Sequence, residues 1–94
     1  MSKNSNYTHV VETLNANLSG TRCKELSELL RGLGFEVRDG KRGGHKLFFH
    51  DGISAFQSGS YNCGHGKNPV VNKVYIKKVL KILKQFEAEL SKLQ

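Results

Sequence analysis

Apolar residues recur along this chain at intervals that change from one segment to the next. In "TRCKELSELLRGLGFEV", Leu26, Leu29, Leu30 and Leu33 fall at i, i+3, i+4 and i+7, the apolar stripe of an amphipathic helix. Thr21 stands where an N-cap is wanted, and Gly32 or Gly34 offers the stop. Upstream, "THVVETLNANL" spaces Val10, Val11, Leu14 and Leu18 in the same way, with Thr8 as its cap, and predicts a short helix or a loosely docked arm. After the leucine helix the interval drops to two. "FEVRD" alternates apolar and polar, as a half-buried strand does, and "HKLFFH" follows as a second strand across the flexible "GKRGG" connection.

Asp51-Gly52 then predicts a two-residue type I′ hairpin turn, with "ISAFQS" as the returning third strand. A polar, glycine-rich stretch, "GSYNCGHGKNPVV", holds the only proline. From about Asn72 the helical interval returns, and Tyr75, Val79, Ile82, Phe86, Leu90 and Leu93 predict the buried stripe of one long helix. The order is helix, three antiparallel strands, helix, with an extra N-terminal helix or arm. It predicts an α+β fold of two layers, one sheet face covered by helices. Residues 1–20 read as an N-terminal extension and 21–94 as the domain. The element order resembles that of the double-stranded-RNA-binding domain, a weak pointer to function by itself.

Composition adds constraints. No apolar run approaches the ~20 residues that span a membrane, and the N-terminal residues lack a secretory pattern. Cys23 and Cys63 are then expected as free thiols in a reducing cytoplasm. The net charge of +7 is uneven. Residues 1–36 balance four bases (Lys3, Arg22, Lys24, Arg31) with four acids, whereas residues 37–86 carry ten bases against Asp39 and Asp51. A basic segment beside a neutral one is the electrostatic footprint of a polyanion binder.

Three stretches carry a family resemblance. "LSELLRGLGFEV" ends in Leu33-Gly34-Phe35. "GGHKLFFHDG" opens a strand with Gly43-Gly44-His45 and closes with His50 before Asp51-Gly52. "GHGKNPVVNKVYIKKVLKIL" leads from His65-Gly66-Lys67 into a basic helix. In order and spacing, over roughly residues 22–86, these resemble the HicA family of toxin–antitoxin mRNA interferases. The family's third strand usually runs into a Pro-His pair; here "SGSYNCGH" intervenes, and Cys63-Gly64 precedes His65. The resemblance implies an endoribonuclease that is the toxin of a type II system, with His45 as its catalytic residue. It also implies a HicB-like antitoxin as partner.

The residues supply a chemical warrant of their own. RNA carries its nucleophile, the 2′-hydroxyl, so cleavage needs a proton acceptor and charge stabilisation, and needs no metal or cofactor. A histidine can move that proton at neutral pH, contributing typically ~10²–10⁴-fold. Gly43 and Gly44 would let an RNA backbone approach, with Lys41, Arg42 and Lys46 as cations beside it. If Leu47 and Phe49 face the helices, strand parity turns His45 the same way. His50 reads as a solvated residue beside its turn, and His65 as a loop residue able to contact phosphate. Their spacings with Cys63 do not match structural zinc. Lys73, Lys77, Lys81 and Lys84 recur at four, four and three, forming one charged face that, with Lys67, can track an RNA backbone. The same features admit a non-catalytic RNA-binding domain, or an interaction domain for an acidic protein.

Overall fold

The computed structural model describes residues 5–64 and 66–92. Its elements in chain order are α1 (Ser5–Ala16), α2 (Cys23–Gly32), β1 (Glu36–Asp39), β2 (His45–Phe49), β3 (Gly59–Asn62), α3 (Lys73–Gln85) and α4 (Glu87–Lys92). The three strands form one antiparallel sheet with β2 in the middle. This is a mixed α+β architecture, and none of its helices is long and apolar enough to cross a membrane.

α2 follows its leucines. Leu26, Leu30 and Leu33 are fully buried and Leu29 half-buried, so the stripe read from the sequence is the face that meets the sheet. Gly34 takes φ 94°, which L side chains rarely adopt, and there the helix ends. The amides of Gly34 and Phe35 donate to the carbonyls of Arg31 and Leu30, the paired reversal that closes many helices. The other end differs from expectation. Thr21 does not cap α2; its buried hydroxyl donates to the carbonyl of Asn17 at 2.8 Å. The caps come from a distant loop instead. The Cys23 amide donates to the Pro69 carbonyl at 2.9 Å, and the Lys24 amide to Asn68 Oδ1 at 3.1 Å.

α1 begins at Ser5, so Thr8 lies within it rather than at its cap. Tyr7, Val10 and Leu14, at i, i+3 and i+7, enter the same core as the leucines of α2. α1 touches α2, α3 and α4, and Tyr7 Oη donates to the Leu83 carbonyl at 3.1 Å.

Two strand expectations are overturned. Gly52 has no positive φ and neither has Asp51, so their turn is not of the I′ type whose twist returns the chain directly into a hairpin. The chain instead makes consecutive turns from His50 to Ile53 and from Ile53 to Phe56, and both apolar side chains drop into the core. β3 therefore starts only at Gly59, and "ISAFQS" is not a strand. The phase of β2 is also opposite to the one expected. Phe48 is fully buried while Leu47 and Phe49 are half-buried. The reason is cross-strand registration. Phe48 lies opposite Val37 and Gly59, and Lys46 opposite Asp39 and Tyr61, so these residues share the helix-covered face. Phe48 needs the glycine, because a Cβ at Gly59 would sit 2.3 Å from its ring.

The C-terminal helix is two helices. The chain breaks at Phe86, and the buried residues are Ile76, Val79, Leu83, Phe86 and Leu90, with Tyr75 and Ile82 only half-buried at the flanks. Leu93 lies outside the described residues. Asn72 caps α3 by accepting from the Val74 amide at 2.9 Å.

The cysteines are not free thiols. Cys23 and Cys63 form a disulfide, with Cα atoms 5.4 Å apart across a sequence separation of 40. Spacing alone could not show this, since only the fold brings the start of α2 beside the end of β3.

Two phenols are sunk in this core. Burial raises the Tyr61 pKa against the smaller opposing effect of its 2.6 Å bond to Ser27, and burial with the charge of Glu87 raises that of Tyr7. The folded chain thus keeps these protons where an unfolded chain sheds them, near pH 10. This contribution to stability is complete below that pH and disappears as pH rises through the folded values. Tyr7 and Tyr61 are therefore expected to form phenolate late, together with unfolding, in an alkaline titration followed by ultraviolet absorbance. Smooth ionisation of every tyrosine near pH 10 in the folded protein would contradict the burial.

Candidate nucleic-acid interface

Strand alternation divides the residues expected to act together. His45, Leu47 and Phe49 point to the face of the sheet opposite the core, along with Arg38 and Ser60. His45 opens β2 there, opposite Asn62 on β3. Its imidazole lies over Gly40, where a Cβ would come within 3.0 Å of Cγ. The loop before it folds back tightly. The Gly40 amide donates to the His45 carbonyl at 2.7 Å, and the His45 amide to the Arg42 carbonyl at 3.1 Å. Lys41, Arg42 and Gly43 stand exposed on that loop, at the same edge as the half-buried histidine. On the same face the Arg38 guanidinium lies 5.3 Å from the centre of the Phe49 ring and is paired with Glu36. That pairing holds the Glu36 carboxyl below its ordinary range.

Gly44 has a role in the fold. It has φ 81°, its carbonyl accepts from the Cys63 amide at 2.7 Å, and a Cβ on it would strike the Gly64 carbonyl. The close approach made possible here is that of the chain's own backbone.

Lys46 points the other way, into a cleft of about 370 Å³ between α2 and the loop after β3. There it meets Lys24 and Arg31 from α2 and Lys67 from the loop, with Ser27 on the floor. Asp39, paired with Lys46, has its carboxyl held low by that hydrogen bond and charge, and by Arg31. Lys24 and Arg31 were not singled out by sequence reasoning. A signal existed: Lys24, Ser27 and Arg31 recur at i, i+3 and i+7, one helix face beside the leucines. Counting charge by segment hid it, because Glu25 and Glu28 cancel these bases in the sum although neither lines the cleft.

His50 is half-buried and bonded at both ring nitrogens, rather than simply solvated beside its turn. Its Nδ1 accepts from the Gly52 amide at 3.0 Å and its Nε2 is 2.9 Å from the Leu33 carbonyl, so the Nε2-protonated tautomer makes both bonds. Its ring packs edge-on to Phe35 at 4.7 Å. His65 lies outside the described residues. Among the described residues no group of three His, Cys, Asp or Glu side chains is placed to hold a metal.

No family model, curated protein or solved structure matches the chain.

The lysines of α3 form a separate surface. Lys73, Lys77, Lys81 and Lys84 are all exposed, and the last three border a groove of about 450 Å³ between α1 and α3, floored by Val11 and Leu80. Lys78 leaves that row, its ammonium 5.6 Å from the centre of the Tyr75 ring. Among the described residues, the basic side chains expected to bind RNA thus fall in three places: the loop beside His45, the cleft behind the sheet, and the α3 row.

Proposed function

We propose that this chain is a small metal-independent endoribonuclease of the toxin type, similar to HicA, that binds mRNA through its basic patches and cuts it with His45 as general acid/base. The observation that carries the reading is the placing of the His45 imidazole on the helix-free sheet face, beside the exposed Lys41 and Arg42. A phosphate drawn to those two cations comes within range of a group able to take the 2′-hydroxyl proton, and the cations favour the charge that develops. The helix–three strands–helix core has the element order of double-stranded-RNA-binding domains, and Lys73, Lys77, Lys81 and Lys84 add backbone contacts. The half-buried Leu47 and Phe49 on the same face would lie under a HicB-like antitoxin covering the histidine. An mRNA substrate places the action in the cytoplasm.

The alternative is an RNA-binding domain without catalysis. It is favoured by the division of the basic residues, since Lys46 and Lys67 line the cleft behind the sheet and cannot hold a phosphate against His45. One experiment separates the two. Purified wild-type and His45→Ala chains are incubated with labelled, unstructured RNA in chelator, and cleavage and binding are measured on the same samples. The enzyme reading expects cleavage to fall at least ~10²-fold in the variant with binding retained. Folded wild-type protein that binds RNA without cutting it leaves the binding domain. Absence of salt-dependent RNA binding removes both and favours an acidic protein partner.

A further inference from the structure

We propose that the cleft between α2 and the loop after β3 is a phosphate site, holding one backbone phosphate of the bound RNA on Lys24, Arg31 and Lys67. The inference rests on the RNA-binding reading above and extends it to the opposite face of β2 from His45.

Four cationic side chains reach this cleft from three separate segments: Lys24 and Arg31 from α2, Lys46 from β2, and Lys67 from the loop. A surface made soluble by lysine would spread them. Here folding converges them on a concavity, at the cost of mutual repulsion. Among the described residues only Lys46 of the four has an ion-pair partner, Asp39. Lys24 and Lys67 are thus left facing a space with protein walls, where the field of each is focused rather than dispersed, and Arg31 is shared between that space and the Asp39 carboxylate.

The rim fits the same ligand. Gly64 and Gly66 line it, with φ 74° and 112°, and a side chain at either would point into open space. At these two positions a strand of RNA can therefore approach the backbone closely. The N-terminal amides of α2 are not what attracts the anion. The first two already donate to Pro69 and Asn68, so the side chains must supply the contacts. Arg31, whose Nη2 also donates to the Val37 carbonyl at 3.4 Å, keeps further guanidinium donors for phosphate oxygens, and Lys24 and Lys67 supply compact charges beside it. At about 370 Å³ the space is at the small end of ligand sites (~300–1,000 Å³), enough for a phosphate with its sugar.

The test uses the whole chain in non-reducing buffer, isotopically labelled for amide spectra. It is titrated with inorganic phosphate and with one short unstructured RNA carrying either a 5′-hydroxyl or a 5′-phosphate. The proposal expects RNA to shift the amides of residues 24, 31, 46, 64, 66 and 67. It also expects the K24Q/K67Q double variant to bind that RNA about tenfold more weakly with a salt slope smaller by about one, while K92Q binds like wild type. Equal response to the two RNAs assigns an internal phosphodiester, and response to the 5′-phosphate alone assigns a strand end. RNA that shifts only α3 and the loop beside His45, with K24Q/K67Q binding as wild type, overturns the phosphate site and leaves the RNA-binding reading intact. RNA that binds nowhere overturns both. In that case cleft shifts with inorganic phosphate would mark a small-anion site, and shifts with an acidic peptide alone a protein-binding one.

Discussion

The Cys23→Ala/Cys63→Ala chain is expected to be about 4 kcal/mol less stable than the oxidised protein. The bridge closes a loop across a sequence separation of 40, and the chain-entropy estimate for a loop of that length is about 4 kcal/mol. In a domain this small, 1 kcal/mol moves the melting temperature by roughly 4–8 °C, so the midpoint should fall by roughly 15–30 °C. The bridge also does local work. It pins the end of β3 to the start of α2, next to the loop whose Asn68 and Pro69 satisfy the first amides of that helix. The Pro69 and Asn68 contacts are therefore expected to fray before the rest when the bridge is absent, which exchange of the amides of residues 23 and 24 would report. The check is denaturant unfolding of the oxidised chain, the reduced chain and the double variant. A difference below about 1 kcal/mol would mean that the reduced, unfolded chain is already constrained in the same way.

Phe48→Ala is expected to cost about 3–5 kcal/mol and Phe49→Ala no more than about 1 kcal/mol, although the two are neighbours on one strand. Phe48 is fully buried, lies across Gly59, and contacts the rings of Phe35, Phe56 and Tyr61 at centroid distances of 5.5, 5.7 and 5.9 Å. Truncating it removes that surface and leaves a hole in the aromatic cluster. Phe49 sits on the far face with Arg38 over its ring, where water can replace it. Urea midpoints of the two variants decide the matter. The reverse order would mean that β2 is registered one residue away, with every side chain on the opposite face and His45 turned into the core.

What the sequence made legible depended on how local each determinant is. The leucines of α2 repeat over two turns with no competing phase, and the structure buries that face. β2 offers three consecutive apolar residues, Leu47, Phe48 and Phe49, so its phase cannot be read from alternation. It is decided by Val37, Gly59 and Tyr61 across the sheet, which only pairing brings opposite. Ile53 and Phe56 resemble a strand in composition, yet their interval of three suits the turns they occupy. The disulfide depends on Cα proximity across 40 residues and leaves no trace in spacing. For the candidate site, the basic segment was visible as charge. Its division by strand parity into a His45 side and a Lys46 side required the phase of β2, and Lys24 and Arg31 required knowing what faces α2.

The way α1 is held has a consequence for synthesis. Tyr7, Val10 and Leu14 are near the beginning of the chain, but much of the surface that buries them belongs to α3 and α4, with Leu83 and Leu90, besides what α2 supplies. Elements made first thus wait for elements made last. Until Leu90 has left the ribosome, α1 lacks part of the core that buries it, although α2 is already there to meet it. The cations of α2 and of the loop beside His45 therefore leave the ribosome, past its own RNA, before the core that positions them has closed.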